Sequence, residues 1–462
     1  MIQRESDIKP NVEKPFEGDV LSRQVYVENL SKILTQCKTP LVFALSSPWG
    51  TGKTRFLEFW NAYLQQQEFL IVNFNAWESD FADNALIALF GEFESFLDSK
   101  IKKSSKTRQL VKNVKRYGKV IAKSALPSAL KLATYGILDI DKIKDNIKLD
   151  EKSKDAIAEF ISKGPDKQLD SYRETKKAIE NFRKELAKLV EASNHSRIFF
   201  FIDELDRCRP DFAIKLLEII KHIFSVEGVV FVLAVDMQQL SQSAKVVYGS
   251  EMDCKGYFRR FIDLEYQLPE QSEKNNFEFF NHIYKQYGFV NRQQLATITD
   301  FQEFRALFNL FSDLFYCSLR DKIRIFNEIS VNSLLVPNNY KGFGFLLFLT
   351  FLRVKNDELY HNFITRKIDG KQVIEQLIVV NSKFKNQFWD KEISYEIETY
   401  LLFAFKDNRE FGALFTKIET QLKNAEPMDK KAHFKQILFY SEEANAINKA
   451  IFDAMNFSAS FS

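Results

Sequence analysis

The chain has 462 residues, of which 45% are hydrophobic and 27% are charged, a balance typical of a globular protein. This composition excludes a collagen-like chain, a disordered chain and a small disulfide scaffold. With 65 basic against 62 acidic residues, the chain as a whole is not a polybasic nucleic-acid binder.

Short apolar runs bounded by turn residues predict four buried β-strands. They lie at residues 41–45, 69–74, 198–202 and 229–235. Helical spacing of apolar residues is found at residues 20–35, 55–67, 83–98 and 212–224, and a lysine-rich helical pattern continues to about residue 191. Because strands alternate with helices, we expect an α/β fold with a parallel sheet covered on both faces.

Helical patterns dominate from about residue 270 onward, at residues 277–287, 301–311, 319–330, 345–354, 393–405 and 411–422. At ~100–200 residues per domain, this length predicts roughly two to four domains. We predict a leader with a first helix (1–40), an α/β core (41–95 with 191–270), a basic helical insert (96–190), a helical lid (271–345) and an all-α C-terminal domain (346–462).

A basic segment stands apart from the rest of the chain, because residues 100–148 contain 14 Lys or Arg and 3 Asp or Glu. Three interpretations of this segment are open. In the first, it is a helical face that docks on acidic residues. In the others, it binds the phosphate backbone of DNA or an anionic membrane surface. Between residues 100 and 119 only Tyr117 is aromatic, which weakens a base-stacking interpretation.

No part of the sequence predicts a transmembrane span, a secretion signal or a zinc site. The first twenty residues have no apolar core and the four cysteines include no C-x-x-C pair, so we expect a reducing, cytoplasmic location. The apolar run at 343–352 is shorter than the ~20 residues that cross a bilayer. Residues 120–138 contain Lys123, Lys131 and Pro127 and suit at most a peripheral position on a membrane.

A glycine-containing loop follows the first predicted strand and precedes a helix. Its sequence, S-P-W-G-T-G-K-T, matches the phosphate-loop pattern G-x-x-x-x-G-K-[ST] except that Ser47 replaces the first glycine. Gly50 and Gly52 let the backbone curl so that its amides surround an anion. Lys53 is expected to neutralise the terminal phosphates of ATP, and Thr54 to ligate Mg²⁺. The predicted nucleotide-binding residues are Ser47, Pro48, Trp49, Gly50, Thr51, Gly52, Lys53, Thr54 and Arg55.

Acidic residues follow the third and fourth predicted strands, and nucleotide sites in parallel sheets lie at the carboxyl ends of strands. We expect Asp203 to hold Mg²⁺ and Glu204 to orient or deprotonate the attacking water. Asp236 lies where a polar group can sense the γ-phosphate, although an aspartate there is also a common helix cap. The phosphate loop upstream favours the catalytic interpretation over an ordinary solvated turn.

Arginines that neutralise charge on the transferred phosphoryl group are expected at such a site. Arg259 and Arg260 follow Asp236 at a short distance in sequence, and Arg320 opens a later helix. Each is predicted to be a catalytic residue. Each is equally open to the interpretation of an ordinary surface or ion-pair arginine.

Four motifs together resemble the KAP family of P-loop NTPases. They are W-G-T-G-K-T, F-N-A-W at residues 74–77, D-E-L-D-R-C-R-P at 203–210 and F-V-L-A-V-D at 231–236. The resemblance covers about residues 15–345 and implies the additional-strand class of P-loop NTPases, with ATP and Mg²⁺ as ligands. It also implies that residues 18–23 border the adenine and that Arg320 is an arginine of the lid.

What the resemblance implies about function is an ATPase that acts as a nucleotide-driven switch or motor. Many bacterial members are linked to phage or plasmid exclusion, so we expect a role in antiviral (phage) defence, as a homo-oligomer or with partner proteins of one defence operon. Many members carry paired transmembrane helices between the phosphate loop and the acidic strand, and none is predicted here. The alternative is a nucleotide-gated scaffold, or a DNA-sensing protein with little turnover that uses residues 100–148.

Overall fold

The computed structural model shows an α/β unit followed in the sequence by a helical unit. The first unit runs from Lys9 to Pro269, and residues from Glu270 onward form the second. The structure describes residues 10–82, 84–101, 105–124, 164–193, 195–286, 301–336, 342–381, 392–406, 408–423, 437, 441, 451–452 and 455.

Parallel strands form the sheet of the first unit. They are β1 (Leu41–Ser46), β2 (Leu70–Asn75), β3 (Ile198–Asp203), β4 (Val229–Val235) and β5 (Leu264–Gln267). Their order across the sheet is β2-β3-β4-β1-β5, and every neighbouring pair is parallel. The first four match the predicted strands. β5 escapes the sequence prediction because its residues, L-E-Y-Q, form no apolar run and are largely exposed at the sheet edge.

The position of β4 between β1 and β3 defines the class of this sheet. Val235 pairs in register with Ser46, and Ala234 pairs with Asp203. The carboxyl ends of the three strands therefore lie side by side, and the turns that follow them share one edge of the sheet. A strand thus separates the phosphate-loop strand from the acidic strand, which confirms the predicted additional-strand P-loop fold.

Helices cover both faces of this sheet. In chain order they are α1 (Gln24–Gln36), α2 (Lys53–Gln66), α3 (Ala76–Ser79), α4 (Ala85–Lys100), α5 (Ser105–Ser124), α6 (Gly164–Glu191), α7 (Pro210–Ile223), α8 (Met237–Tyr248) and α9 (Cys254–Phe258). Apolar residues of α1 and α2 pack on one face. Those of α4 to α9 pack on the other, so the two faces are buried as their apolar strand sequences require.

Phenylalanine rings fill much of the space between the sheet and its helices. Phe200 of β3 and Phe231 of β4 stack with their ring centroids 4.6 Å apart. Phe224 packs edge-on against both rings, and all three side chains are almost fully buried. Many of the phenylalanines of this chain therefore serve to fill its core with aromatic contacts.

The described part of the predicted basic insert is helical and belongs to the core of the first unit. Val114 of α5 and Phe182 of α6 are buried in the same apolar cluster as the sheet. Removal of α5 would therefore expose core residues. Residues 102–104 and 125–163, which include most of the segment predicted to suit a membrane surface, lie outside the described residues.

Acidic residues of α4 neutralise part of the basic face of α5. Lys115 forms ion pairs with Glu94 and Asp98, and Lys119 forms one with Glu94. These pairs support the interpretation in which the basic face docks on the acidic remainder of the chain. DNA and membrane binding by residues 100–148 stay predictions.

The second unit is built from helices. Its described helices are α10 (Glu273–Gln286), α11 (Phe301–Leu314), α12 (Leu319–Leu335), α13 (Phe343–Lys355), α14 (Asp357–Ile364), α15 (Gly370–Val380), α16 (Glu392–Phe403) and α17 (Asn408–Lys423). α14 and α15 escape the sequence prediction. Each is short and begins at a side-chain cap, Asn356 for α14 and Asp369 for α15.

The apolar run at 343–352 is buried within α13. Its Phe351 packs edge-on against Phe308 and Phe311 of α11. Across the described ranges, we find no helix with both the length and the apolar character needed to span a bilayer. The division of this half into a lid (271–345) and a C-terminal domain (346–462) stays a prediction.

Replacing Phe200 by Ala should lower the free energy of unfolding by about 3–5 kcal/mol, because the cavity would lie among packed rings. Phe81→Ala is the matched control, since this side chain is 88% exposed and its loss should change stability by less than about 0.5 kcal/mol. Chemical denaturation followed by circular dichroism measures both. Equal losses in the two variants would contradict the core position of Phe200.

Candidate active site

The phosphate loop joins β1 to α2 and depends on two left-handed glycines. Gly50 has φ 78° and Gly52 has φ 84°, a backbone conformation that residues with a Cβ rarely adopt. Gly52 directly precedes the first residue of α2. The first N–H groups of a helix have no carbonyl partner within it, so the loop and the helix start together offer amide donors to an anion.

Arg23 holds the carbonyl side of this loop. Its Nη1 donates to the Gly52 carbonyl oxygen at 2.7 Å and its Nη2 to that of Thr51 at 2.6 Å. The side chain is 2% exposed, and burial lowers the pKa of Arg23 to about 10 against the opposing charge of Asp19. The guanidinium therefore stays charged at neutral pH. The sequence analysis placed Arg23 only at the end of the segment 18–23. It missed these two hydrogen bonds to the loop, which no local pattern reveals.

Lys53 lies on the other carbonyl groups of the loop. Its Nζ donates to the carbonyl oxygens of Ser47 at 2.5 Å and Pro48 at 3.2 Å. Burial lowers the pKa of Lys53, and the charge of Asp206 opposes this most strongly, followed by that of Asp236. Phosphate oxygens would compete with these carbonyls for the ammonium group, as the predicted role of Lys53 requires.

Ser47 fits the loop entry at the position where the pattern has glycine. Its hydroxyl donates to Thr51 Oγ1 at 2.8 Å, and Thr51 Oγ1 donates to the Pro48 carbonyl oxygen at 2.8 Å. Ser47 N also donates to the carbonyl oxygen of Val235 at 3.1 Å. The serine thus braces the loop and ties it to the end of β4.

Arg55 is engaged on the surface of α2. Its Nη1 lies 2.8 Å from Glu58 Oε2, and its guanidinium lies over the ring of Phe59, 4.8 Å from the centroid. Its predicted contact with the nucleotide stays a prediction.

The two predicted Mg²⁺ ligands lie together. The hydroxyl of Thr54 forms a hydrogen bond with the carboxylate of Asp203. Burial raises the pKa of Asp203, the bond to Thr54 opposes this rise, and the charge of Glu204 adds to it. A hydroxyl and a carboxylate are oxygen ligands of the kind Mg²⁺ prefers, so these residues fit the ion that the fold implies.

The turn after β3 directs Glu204 and Arg207 to the same side. Glu204 has φ 60° and ψ 24°, a left-handed conformation, and a short 3₁₀ turn follows at Leu205–Arg207. Arg207 Nη1 lies 2.5 Å from Glu204 Oε1. The other carboxylate oxygen, Glu204 Oε2, accepts a hydrogen bond from Asn75 Nδ2 at 3.3 Å. Sequence reasoning assigned no role to Asn75 or Arg207, although both lie in the motifs F-N-A-W and D-E-L-D-R-C.

Asp206 connects the phosphate loop with the ends of β3 and β4. It is 7% exposed, and its Oδ2 accepts hydrogen bonds from Trp49 Nε1 at 2.6 Å and from Asp236 N at 2.9 Å. Sequence reasoning missed this residue as well. Its signal was a second aspartate three residues beyond Asp203.

Asp236 is the N-cap of α8. Its carboxylate accepts hydrogen bonds from Gln238 N at 2.9 Å and Gln239 N at 3.4 Å. The alternative that sequence reasoning allowed, a helix cap, is therefore the contact seen. A sensing role toward the γ-phosphate stays a prediction.

Arg259 and Arg260 lie near the opposite edge of the sheet. They follow α9 and are exposed, and Asp263, shortly after them, forms hydrogen bonds through its N–H and its carboxylate with Val42 at the start of β1. The phosphate loop begins after Ser46, four residues and roughly 13 Å further along β1 than Val42. The chain therefore passes Arg259 and Arg260 well before it reaches this level of the sheet, and their catalytic role stays a prediction.

Arg320 belongs to the second unit. It lies in the first turn of α12, beside a capping box formed by Ser318 and Asp321. Its catalytic role stays a prediction.

The chain is similar to a family model, to a curated protein and to a solved structure. The family model described as KAP family P-loop domain matches residues 23–336. The uncharacterized protein MJ0182 of Methanocaldococcus jannaschii is 29% identical over 174 residues, which are 36% of this chain and 89% of that protein. A solved structure of the Aeropyrum pernix ORC2 protein (ADPNP-ADP complexes) aligns with 99% of this chain and 98% of its own, at 9% identity and a TM-score of 0.36. The family match covers most of the chain.

Arg23→Lys should weaken nucleotide binding roughly tenfold, because one ammonium cannot span two carbonyl oxygens and a charged hydrogen bond contributes about 1.5–3 kcal/mol. Titration calorimetry with ADP measures the change. The control is Arg173→Lys, an exposed arginine of α6, which should leave affinity unaltered. Unchanged affinity in Arg23→Lys would show that the two hydrogen bonds of Arg23 do not organise the loop.

Proposed function

This chain belongs to the KAP family of P-loop NTPases, and we propose that it binds ATP with Mg²⁺ and hydrolyses it, with the nucleotide cycle acting as a conformational switch. The observation that carries the proposal is the convergence of Lys53, Thr54, Asp203 and Glu204 at the edge where β1 and β3 end.

Each of these residues has a separate role in the proposed reaction. Lys53 binds the β- and γ-phosphate oxygens, and Thr54 and Asp203 hold Mg²⁺, which neutralises phosphate charge when bound. Glu204 accepts a proton from the water whose oxygen attacks the γ-phosphorus. The bond from that phosphorus to the β-phosphate oxygen breaks, and its electron pair leaves with ADP.

The assembly in which the switch works is the second part of the proposal. The resemblance alone supports a role in phage defence or plasmid exclusion. A nucleotide-gated scaffold is the alternative, and Glu204, a potential base directly beside Asp203, favours turnover over it. For DNA sensing, the described ion pairs of Lys115 and Lys119 favour a structural use of the basic face instead.

Glu204→Gln should keep ATP binding and reduce hydrolysis by roughly tenfold or more, because the amide cannot accept the proton of water. Phosphate release measures turnover, and the ATP-induced shift of the melting temperature measures binding. Lys53→Ala is the companion variant, since it should lose the shift itself.

Two results would contradict this assignment. Unchanged hydrolysis in Glu204→Gln removes this residue from the mechanism. A full ATP-induced shift in Lys53→Ala shows that the nucleotide binds elsewhere.

The distance of Arg259 and Arg260 from the phosphate loop of their own chain supports an oligomer in which they complete a neighbour's site. Light scattering should then show a larger mass with a non-hydrolysable ATP analogue than with ADP. A double variant, Arg259→Ala with Arg260→Ala, should be inactive alone and recover activity when mixed with Glu204→Gln, because mixed neighbours rebuild complete sites. A monomer with the analogue, or no recovery on mixing, would refute the oligomer.

A further inference from the structure

An arginine other than the three predicted ones lies inside the site. Arg207 ends the 3₁₀ turn after β3, and its Nη1 lies 2.5 Å from Glu204 Oε1. Asp206, the residue before Arg207, accepts a hydrogen bond from Trp49 of the phosphate loop at 2.6 Å. The turn that carries Arg207 is therefore tied directly to the loop that is proposed to bind the phosphates.

We propose that Arg207 is a catalytic arginine of this chain's own site, which leaves Glu204 and binds the γ-phosphate when ATP enters. The proposal rests on the proposed function and deepens it, because it names a second group that moves when the triphosphate binds. In the resting site, Glu204 and Arg207 neutralise each other.

The backbone of the turn keeps this exchange local. In a 3₁₀ turn the residues i and i+3 lie above one another, and Arg207 N donates to the Glu204 carbonyl oxygen at 3.1 Å. On one side, Asp206 is fixed by its bonds from Trp49 and Asp236. The residues that carry the two charges are therefore anchored, and the side chains alone need to move.

The other side of the turn is anchored by Arg209. Its N and Nε donate to the two carboxylate oxygens of Asp80 at 2.8 and 3.0 Å, and its Nη2 donates to the carbonyl oxygens of Asp80 and Ala82. Arg209 is thus committed to the backbone of the 80–82 segment. Arg207 has a carboxylate and the face of Trp77, 5.9 Å from its guanidinium carbon, as its partners.

The exchange is favourable because the incoming group has more charge than the one it replaces. The side chains of Arg207 and Glu204 are 26% and 16% exposed, so the pair is partly shielded from water. A γ-phosphate offers a planar guanidinium several oxygen acceptors and a larger negative charge than one carboxylate.

Departure of Arg207 changes what Glu204 can do. Its Oε1 becomes available to accept the proton of the attacking water, while Asn75 still positions Oε2. At the same time the guanidinium neutralises charge on the γ-phosphate as the bond to ADP breaks. One movement thus activates the base and stabilises the transferred group, and it occurs only with a triphosphate.

The test is the preference of the full chain for a non-hydrolysable ATP analogue over ADP, measured by calorimetry with Mg²⁺. Arg207→Gln should reduce this preference at least tenfold, leave ADP affinity within about threefold and lower kcat by roughly a hundredfold or more. Arg207→Lys should restore part of the preference, because it keeps the charge. Arg173→Gln, which removes an exposed positive charge on α6, should change none of these quantities.

Three results would overturn the proposal. Faster hydrolysis with an unchanged preference would show that Arg207 only restrains Glu204. Equal weakening of both nucleotides, together with a lower melting temperature, would show a structural role alone. A parent protein that binds and hydrolyses ATP while Arg207→Gln matches it in every quantity would refute this inference and leave the proposed function intact, whereas a parent that binds neither nucleotide would refute the proposed function itself.

Discussion

The parallel pairing of β4 with both β1 and β3 is the constraint on which the site depends. Hydrogen bonds along these two ladders align the carboxyl ends of the strands, with Ser46 opposite Val235 and Asp203 opposite Ala234. Both faces of these strands are buried, so a shift of register by one residue would exchange the side chains that pack on the two faces. The packed aromatic core on one face of the sheet therefore fixes, indirectly, the distance between the phosphate loop and the acidic turn.

Charged side chains hold together the turns that follow the strands at this edge. Arg23 and Lys53 bind the carbonyl oxygens of the phosphate loop from two directions, and Asp206 joins the loop to the two neighbouring turns. Each of these groups is buried or nearly so, where an unpaired charge is unfavourable. The side chains of Glu204 and Arg207 are more exposed to solvent than these three groups. This difference suits the proposed exchange, in which Arg207 leaves Glu204 for the γ-phosphate while the buried network stays in place.

The basic segment shows how a charge pattern can serve the fold. In the described residues of α5, lysines reach acidic residues of α4 while Val114 and Ile121 enter the core. Both the apolar face and the basic face of this helix thus find their contacts within the first unit. The net positive charge of the segment is for this reason weak evidence for an external ligand, and charge substitutions on exposed positions are a better probe of one than deletion.

The sequence by itself determined the phosphate loop, the acidic strand end and four of the strands, because each is encoded by adjacent residues: glycines at a turn, or an uninterrupted apolar run. It could not determine β5, whose residues become a strand only by pairing with β1. Nor could it decide which arginine lies at the site, since Arg207 and Arg259 are both arginines beside apolar segments. Only the direction of the strands places the first at the phosphate edge and the second at the opposite one, and strand direction is a property of tertiary packing.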